Sequence, residues 1–158
     1  NADICVVCPT RDIAAQLSDQ GRSVYLYHYA GAATDGRASH AQELCELFID
    51  EATQGQACAT YMGGIKGPTQ FNEELSETLM NYWSSFAING VPESTNPTDP
   101  LWSSCDGGRT GSHVYLANSS SVVEGGMKLD DCDFWNYVGL DAVELKAACT
   151  AMMIKTNE

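Results

Sequence analysis

Val24-Tyr25-Leu26-Tyr27-His28-Tyr29, then the small-residue run from Ala30 to Ala38, then Ser39-His40-Ala41-Gln42, is the stretch on which the reading of this chain turns. Its first six residues are mostly aromatic or β-branched, types that suit a pleated, half-buried surface, and they predict the best strand in the chain. The alanines and glycines that follow read as a loop. Ser39 with Gln42 three residues on has the spacing of a capping box, so a helix is expected to open there. The segment thus runs strand, loop, histidine, helix, with His40 at the helix start.

Upstream, Ile4 to Val7 reads as a short strand or buried lead-in. Thr10 is then expected to cap a helix over Arg11 to Gln20, with Ile13, Ala14 and Leu17 on one side and Gly21 as its stop. Downstream, residues 49–71 lack periodicity and read as a surface excursion. Asn72 is expected to cap the clearest helix, with Glu73 and Glu74 in its first turn and Leu75, Leu79, Tyr82, Trp83 and Phe86 on one face. Asn89-Gly90 and Pro92 end it. Residues 93–112 are rich in Pro, Ser, Thr, Asp and Gly. Strands follow over His113 to Ala117 and within Ser121 to Met127. One or two helices are expected from Asp131 onward, interrupted near Gly139. No internal repeat or domain boundary is legible.

At 158 residues and 44% hydrophobic, the chain is long enough for a core of its own. Its 8 basic and 21 acidic residues give a formal charge of -13, which disfavours nucleic acid and anionic membrane surfaces as partners. No apolar run approaches the roughly 18 to 20 residues that span a bilayer. The chain begins at Asn1 without an initiator Met or an apolar leader, which reads as a processed N-terminus or an incomplete chain.

Seven cysteines point to an oxidising compartment. Cys5-Val6-Val7-Cys8 has the C-x-x-C spacing, but it lies in an apolar β-branched run and has no second ligand pair. Neither a redox pair nor a metal site is expected, and no cofactor is implied. Asn118-Ser119-Ser120 is an N-glycosylation sequon, in keeping with a secreted glycoprotein, whereas Asn96 is excluded by Pro97. The aromatic group of Tyr82, Trp83, Phe86, Phe134 and Trp135 has the spacing of core packing rather than of a ligand cage.

Taken in order, several elements resemble the C-terminal part of the type-B carboxylesterase and cholinesterase-like family. They are Cys8-Pro9, Val24-Tyr25-Leu26-Tyr27, Gly36 through His40 with Glu43-Leu44 and Phe48, Tyr82-Trp83, Phe86-Ala87, Gly90, Pro92, Trp102 and Cys132-Asp133-Phe134-Trp135-Asn136. The resemblance runs from Asp3 to about Tyr137. It implies an α/β fold in which residues 1–158 are the C-terminal portion of a single α/β-hydrolase domain: late sheet strands, the His loop and packing helices. The resembled enzymes order their triad Ser, Glu or Asp, His along the chain, and His40 falls at the histidine position.

No Gly-X-Ser-X-Gly turn is present. The serine, the acid and the oxyanion-hole amides would therefore come from an N-terminal portion absent from this chain, either a separate processed chain or a missing one. The implied function is carboxylic-ester hydrolysis of a small ester substrate by a secreted serine esterase. The alternative is a cholinesterase-like adhesion or assembly module. The resemblance further implies a disulfide between Cys8 and Cys132, leaving the pairing of Cys5, Cys45, Cys58, Cys105 and Cys149 open. It also implies a possible homodimer through the C-terminal segment, with Val143, Leu145 and Met152 as an apolar seam. Glu43, in the first helical turn, complements the helix dipole, and His28 and His113 read as structural. Two positions depart from the family pattern: Ala41 stands where glycine usually follows the histidine, and Gln42 replaces the aromatic that cholinesterases use for choline.

Overall fold

The computed structural model describes residues 3–31, 38, 41–48, 72–105, 111–117, 121–139 and 149. His40, Cys58, Asn118, the stretch 49–71 and the seam of Val143, Leu145 and Met152 lie outside the described residues. The chain divides into two compact units, one of Asn1–Val24, Ser104–Ser112 and Gly125–Glu158, the other of Tyr25–Ser103 and His113–Glu124.

In the first unit Ile4 to Val7, expected as a short strand or buried lead-in, lies in a π-helical turn, Asp3–Val7, that buries Ile4 and runs straight into helix α1, Cys8–Asp19. Pro9 stands in the first turn of α1, where its fixed φ suits a helix. Thr10 therefore lies inside α1 and does not cap it. The residue before the helix, Val7, is itself helical and makes no side-chain cap. Gly21, at φ +75°, ends the helix as expected. Of the three apolar residues expected on one buried side, only Ala14 is buried, while Ile13 and Leu17 are exposed.

Helix α2 is Glu43–Phe48, α3 is Glu73–Asn89 and α4 is Leu129–Val138. Helix α4 belongs to the first unit and stops at Gly139, whose left-handed backbone lets its N–H donate to the Trp135 carbonyl. Two disulfides tie the N-terminal helical run to the C-terminal part. Cys8 is bonded to Cys132 on α4, and Cys5 is bonded to Cys149. The two cysteines of the C-x-x-C spacing thus sit on consecutive turns and go to different partners.

The second unit carries the sheet. Strand β1, Tyr27–Tyr29, pairs in parallel with β2, Ser112–Leu116, placing Tyr27 opposite Val114 and Tyr29 opposite Leu116. Strand β3, Val122–Gly125, lies on the other side of β2, which makes β1 a terminal strand of the described sheet. The strand expected from Val24 shrinks to three residues. The Leu26 carbonyl accepts from Val114, but the Val24 carbonyl is taken by the Cys105 N–H.

Helix α3 follows the sequence closely. Asn72 Oδ1 accepts the Leu75 N–H at 3.1 Å, and Gly90, at φ +74°, closes the other end. Its Leu75, Leu79 and Tyr82 share one face at helical spacing and enter a core with Tyr29, Leu47, Trp102, Val114 and Leu116. Each such side chain, fully buried, contributes about 1.5 to 3 kcal/mol. Phe86, expected on that face, is half-exposed at the helix's end.

Candidate functional site

β1 ends at Tyr29, and Ala41 and Gln42 lead into α2. Between Tyr29 and Ala41 lies the segment containing His40. The residues on either side of it are strongly constrained. Gly31 is packed so closely that a Cβ there would lie 2.6 Å from Leu75 Cδ2 and 3.0 Å from the Tyr29 ring. Only glycine passes this point without displacing a core side chain.

Ala41, adjacent to His40, has φ +61°. That is the left-handed region, which disfavours any side chain with a Cβ. The capping-box expectation fails here: a helix cannot run through a left-handed residue, so α2 opens at Glu43 rather than at Ser39. The same geometry explains why the resembled family favours glycine at this position. Ala41→Gly is expected to stabilise the chain by about 0.5 to 1 kcal/mol, the relief of the Cβ clash less the added freedom of the unfolded glycine. Denaturant unfolding of the two proteins checks this, and a loss of stability would contradict the strain.

The centre of the site is Glu46, which the sequence did not single out. It is 1% exposed, and its Oε2 accepts a hydrogen bond of 2.9 Å from the Tyr29 hydroxyl, seventeen residues away. Its backbone carbonyl accepts from Ser76 Oγ on α3 at 2.6 Å. Oε1 is buried with no hydrogen-bond partner among the described residues. Burial is the main cause that pushes the Glu46 carboxyl up to about 7; the Tyr29 hydrogen bond works against it and the nearby Glu43 charge adds to it. The Tyr29 hydroxyl is raised as well, first by burial and then by the charge of Glu46. Glu43 itself opens α2, half-buried, in the first turn as expected.

Because the folded Glu46 binds its proton more tightly than an unfolded glutamate, its contribution to stability is greatest below pH 4.5. It falls as pH rises and levels off above about 7. Glu46→Gln, which cannot ionise, is expected to be more stable than wild type by about 1 to 3 kcal/mol at pH 8 and nearly equal at pH 5. Urea unfolding at the two pH values decides the matter: an equal difference at both would mean that Glu46 ionisation is not the cause.

The other histidines lie in strands. The His28 ring on β1 stands edge-on to Tyr115 at 5.1 Å and 6.2 Å from His113 on β2. His113 is buried, with Nε2 3.7 Å from Glu124. Gln42, in place of the choline-binding aromatic, is buried.

The aromatic group expected from the sequence divides. Tyr82, Trp83 and Phe86 belong to the second unit, whereas Phe134 and Trp135 belong to the first and pack on each other. Tyr82, Trp83 and Phe86 meet Tyr25, Tyr27 and Trp102 edge-on or tilted around a cavity of about 190 Å³. Such ring pairs at 5.0 to 5.7 Å are the geometry of aromatic core packing, but Phe86 and Phe134 are exposed, against the core packing expected of them.

Among the described residues no group of three or more His, Cys, Asp or Glu side chains could hold a metal ion. No described helix is long and apolar enough to cross a membrane.

A strand in parallel pairing, a short helix later in the chain and a hydrogen bond from a longer helix to that short one are the elements of an α/β protein. A sequence profile of the carboxylesterase family matches residues 1–135, and the chain belongs to that family. Carboxylesterase 5A of Felis catus is 29% identical over 142 residues, covering 84% of this chain and 24% of that protein. The chain therefore spans about a quarter of that relative's length. Membership of the family implies an α/β-hydrolase fold.

Glu46 left one trace in the sequence. It lies between Cys45 and Leu47 on the buried side of a six-residue helix, an acid where the pattern calls for an apolar residue. What the pattern cannot supply is its partner, because Tyr29 is on a strand and alternation alone does not say which residue it meets.

Proposed function

We propose that this chain is the C-terminal portion of a serine carboxylesterase and supplies its catalytic histidine, His40. The observation that carries the proposal is the family match over residues 1–135, which runs through His40. The position of that residue, after a parallel strand's carboxyl end and directly before the strained Ala41, supports it. In this reading the imidazole of His40 takes the proton of a serine hydroxyl as the hydroxyl attacks the ester carbonyl. It then returns the proton to the leaving alcohol. The serine, the carboxylate that fixes the imidazole and the amides that bind the oxyanion come from an N-terminal portion, held in the same chain or as a separate one.

Apolar surface supports a larger body. Ile13 and Leu17 on α1, together with Ile88 and Leu101, are exposed in this chain, and β1 is a terminal strand. A secreted protein fits the cysteines: Cys5, Cys8, Cys45, Cys132 and Cys149 are all disulfide-bonded, while Cys105 is free and buried. Asn118 is then the candidate glycosylation site.

The test is hydrolysis of a short-chain activated ester by the protein assembled with its N-terminal portion, and labelling of that portion's serine by a phosphonate. Turnover together with labelling is expected. Absence of both would replace the hydrolase by the adhesion or assembly module.

A further inference from the structure

We propose that the buried Tyr29–Glu46 hydrogen bond is a strut that fixes the two stems of the His40 segment to each other, and that these two side chains are positioning residues for His40. The inference rests on the hydrolase reading above. Tyr29 is the last residue of β1 and Glu46 lies in the middle of α2, so this one bond of 2.9 Å spans the segment from stem to stem.

Each end is separately anchored. Tyr29 is held in register opposite Leu116, and the Glu46 backbone is held to α3 through Ser76. A displacement of α2 relative to β1 therefore has to break the strut first. A structural role alone accounts poorly for the choice of residues. A buried carboxylate with one oxygen unpartnered among the described residues opposes folding at neutral pH, and an apolar pair of the same shape would pack here at no such cost. The acid brings direction. An ionised acceptor binds a hydroxyl about twice as strongly as a neutral one and holds it to a narrower geometry.

The strut is strongest when Glu46 is ionised. The groups that bear on its proton are the Tyr29 hydroxyl from β1 and the Glu43 carboxylate from α2 itself. Helix α3 offers the uncharged Ser76, and its own carboxylates Glu73, Glu74 and Glu77 are exposed. Lowering the pH through neutrality therefore loosens the strut in the same range in which a catalytic imidazole becomes protonated and inactive.

The experiment uses the assembled protein, with Tyr29→Phe and Glu46→Gln as variants, and measures kcat, KM and hydrogen exchange. Tyr29→Phe deletes a single hydroxyl and keeps the ring. It is expected to lower kcat by about ten- to a hundredfold, the effect of misplacing a reacting group, with KM changed less than threefold. Amide exchange in residues 32–45 should accelerate while exchange in α3 stays at the wild-type rate. Glu46→Gln is expected to lower kcat less, and to make the acid limb of log kcat against pH shallower than in wild type, by removing the step that Glu46 protonation adds to it.

Wild-type exchange in residues 32–45 of Tyr29→Phe overturns the strut, as does a Glu46→Gln acid limb identical to wild type. If wild type itself has no turnover, the hydrolase reading fails, and the exchange comparison alone then decides the strut. Should Glu46→Gln not fold, Tyr29→Phe carries the test.

Discussion

His40→Ala is expected to lower ester turnover by the assembled protein by about four orders of magnitude or more. A serine hydroxyl is a weak nucleophile at neutral pH, and without an imidazole nothing accepts its proton during attack or returns it to the leaving alcohol. The remaining oxyanion and binding contacts act only on the uncatalysed background. His28→Ala and His113→Ala, whose rings pack within the sheet, are expected to reduce kcat less than tenfold. The measurement is steady-state hydrolysis of a short-chain activated ester, with circular dichroism unfolding as a control for folding. Wild-type turnover by His40→Ala would remove this residue from the chemistry and leave the proton-accepting role to another group of the assembled protein.

Removal of the Cys5–Cys149 and Cys8–Cys132 disulfides together is expected to cost about 8 kcal/mol, enough to unfold most domains, whose total stability is about 5 to 15 kcal/mol. The two bonds are nested: Cys5–Cys149 spans 144 residues and Cys8–Cys132 spans 124. With either bond in place, the other closes an effective loop of only about twenty residues, made of the short runs between the paired cysteines. Loop-closure entropy then assigns about 3 kcal/mol to the loss of either bond alone and about 5 kcal/mol to the loss of the second. Cys5→Ser and Cys8→Ser are thus expected to destabilise the chain about equally, and the double variant by more than their sum. Urea unfolding of the three variants measures it. Strict additivity would mean that the two bonds constrain independent loops.

The contrast between α3 and the Tyr29–Glu46 pair shows where the sequence is a sufficient guide and where it is not. Asn72 and Gly90 mark the ends of α3 because capping is chemistry between residues a few positions apart, so the signal and its cause lie in the same window. Asp3–Val7 went the other way. Its β-branched residues favour a strand, but it is helical, with a proline in the first turn of the helix that follows and disulfides from Cys5 and Cys8 to distant cysteines. The strand at Val24 shortened because the Val24 carbonyl is claimed by Cys105, far along the chain. Glu46 was illegible for the same reason in a sharper form. A glutamate in a helix is ordinarily a solvated face, and only the arrival of Tyr29 from a strand makes it a buried acceptor. His40 is a candidate through family resemblance alone, since a single histidine carries no periodicity.

The nested disulfides also bear on how the protein withstands proteases. Cys5 and Cys8 on one helical run hold Cys149 and Cys132, so the first few residues and the C-terminal part are covalently one piece. A single backbone cut anywhere between Cys8 and Cys132 leaves both fragments attached, with an unchanged mass except for one added water. Such a nicked molecule migrates as an intact chain on a gel until a reductant is added, when it separates into two. Cleavage during handling or storage would thus pass unseen in any preparation judged under non-reducing conditions, and the nicked and intact forms would be counted together as one protein.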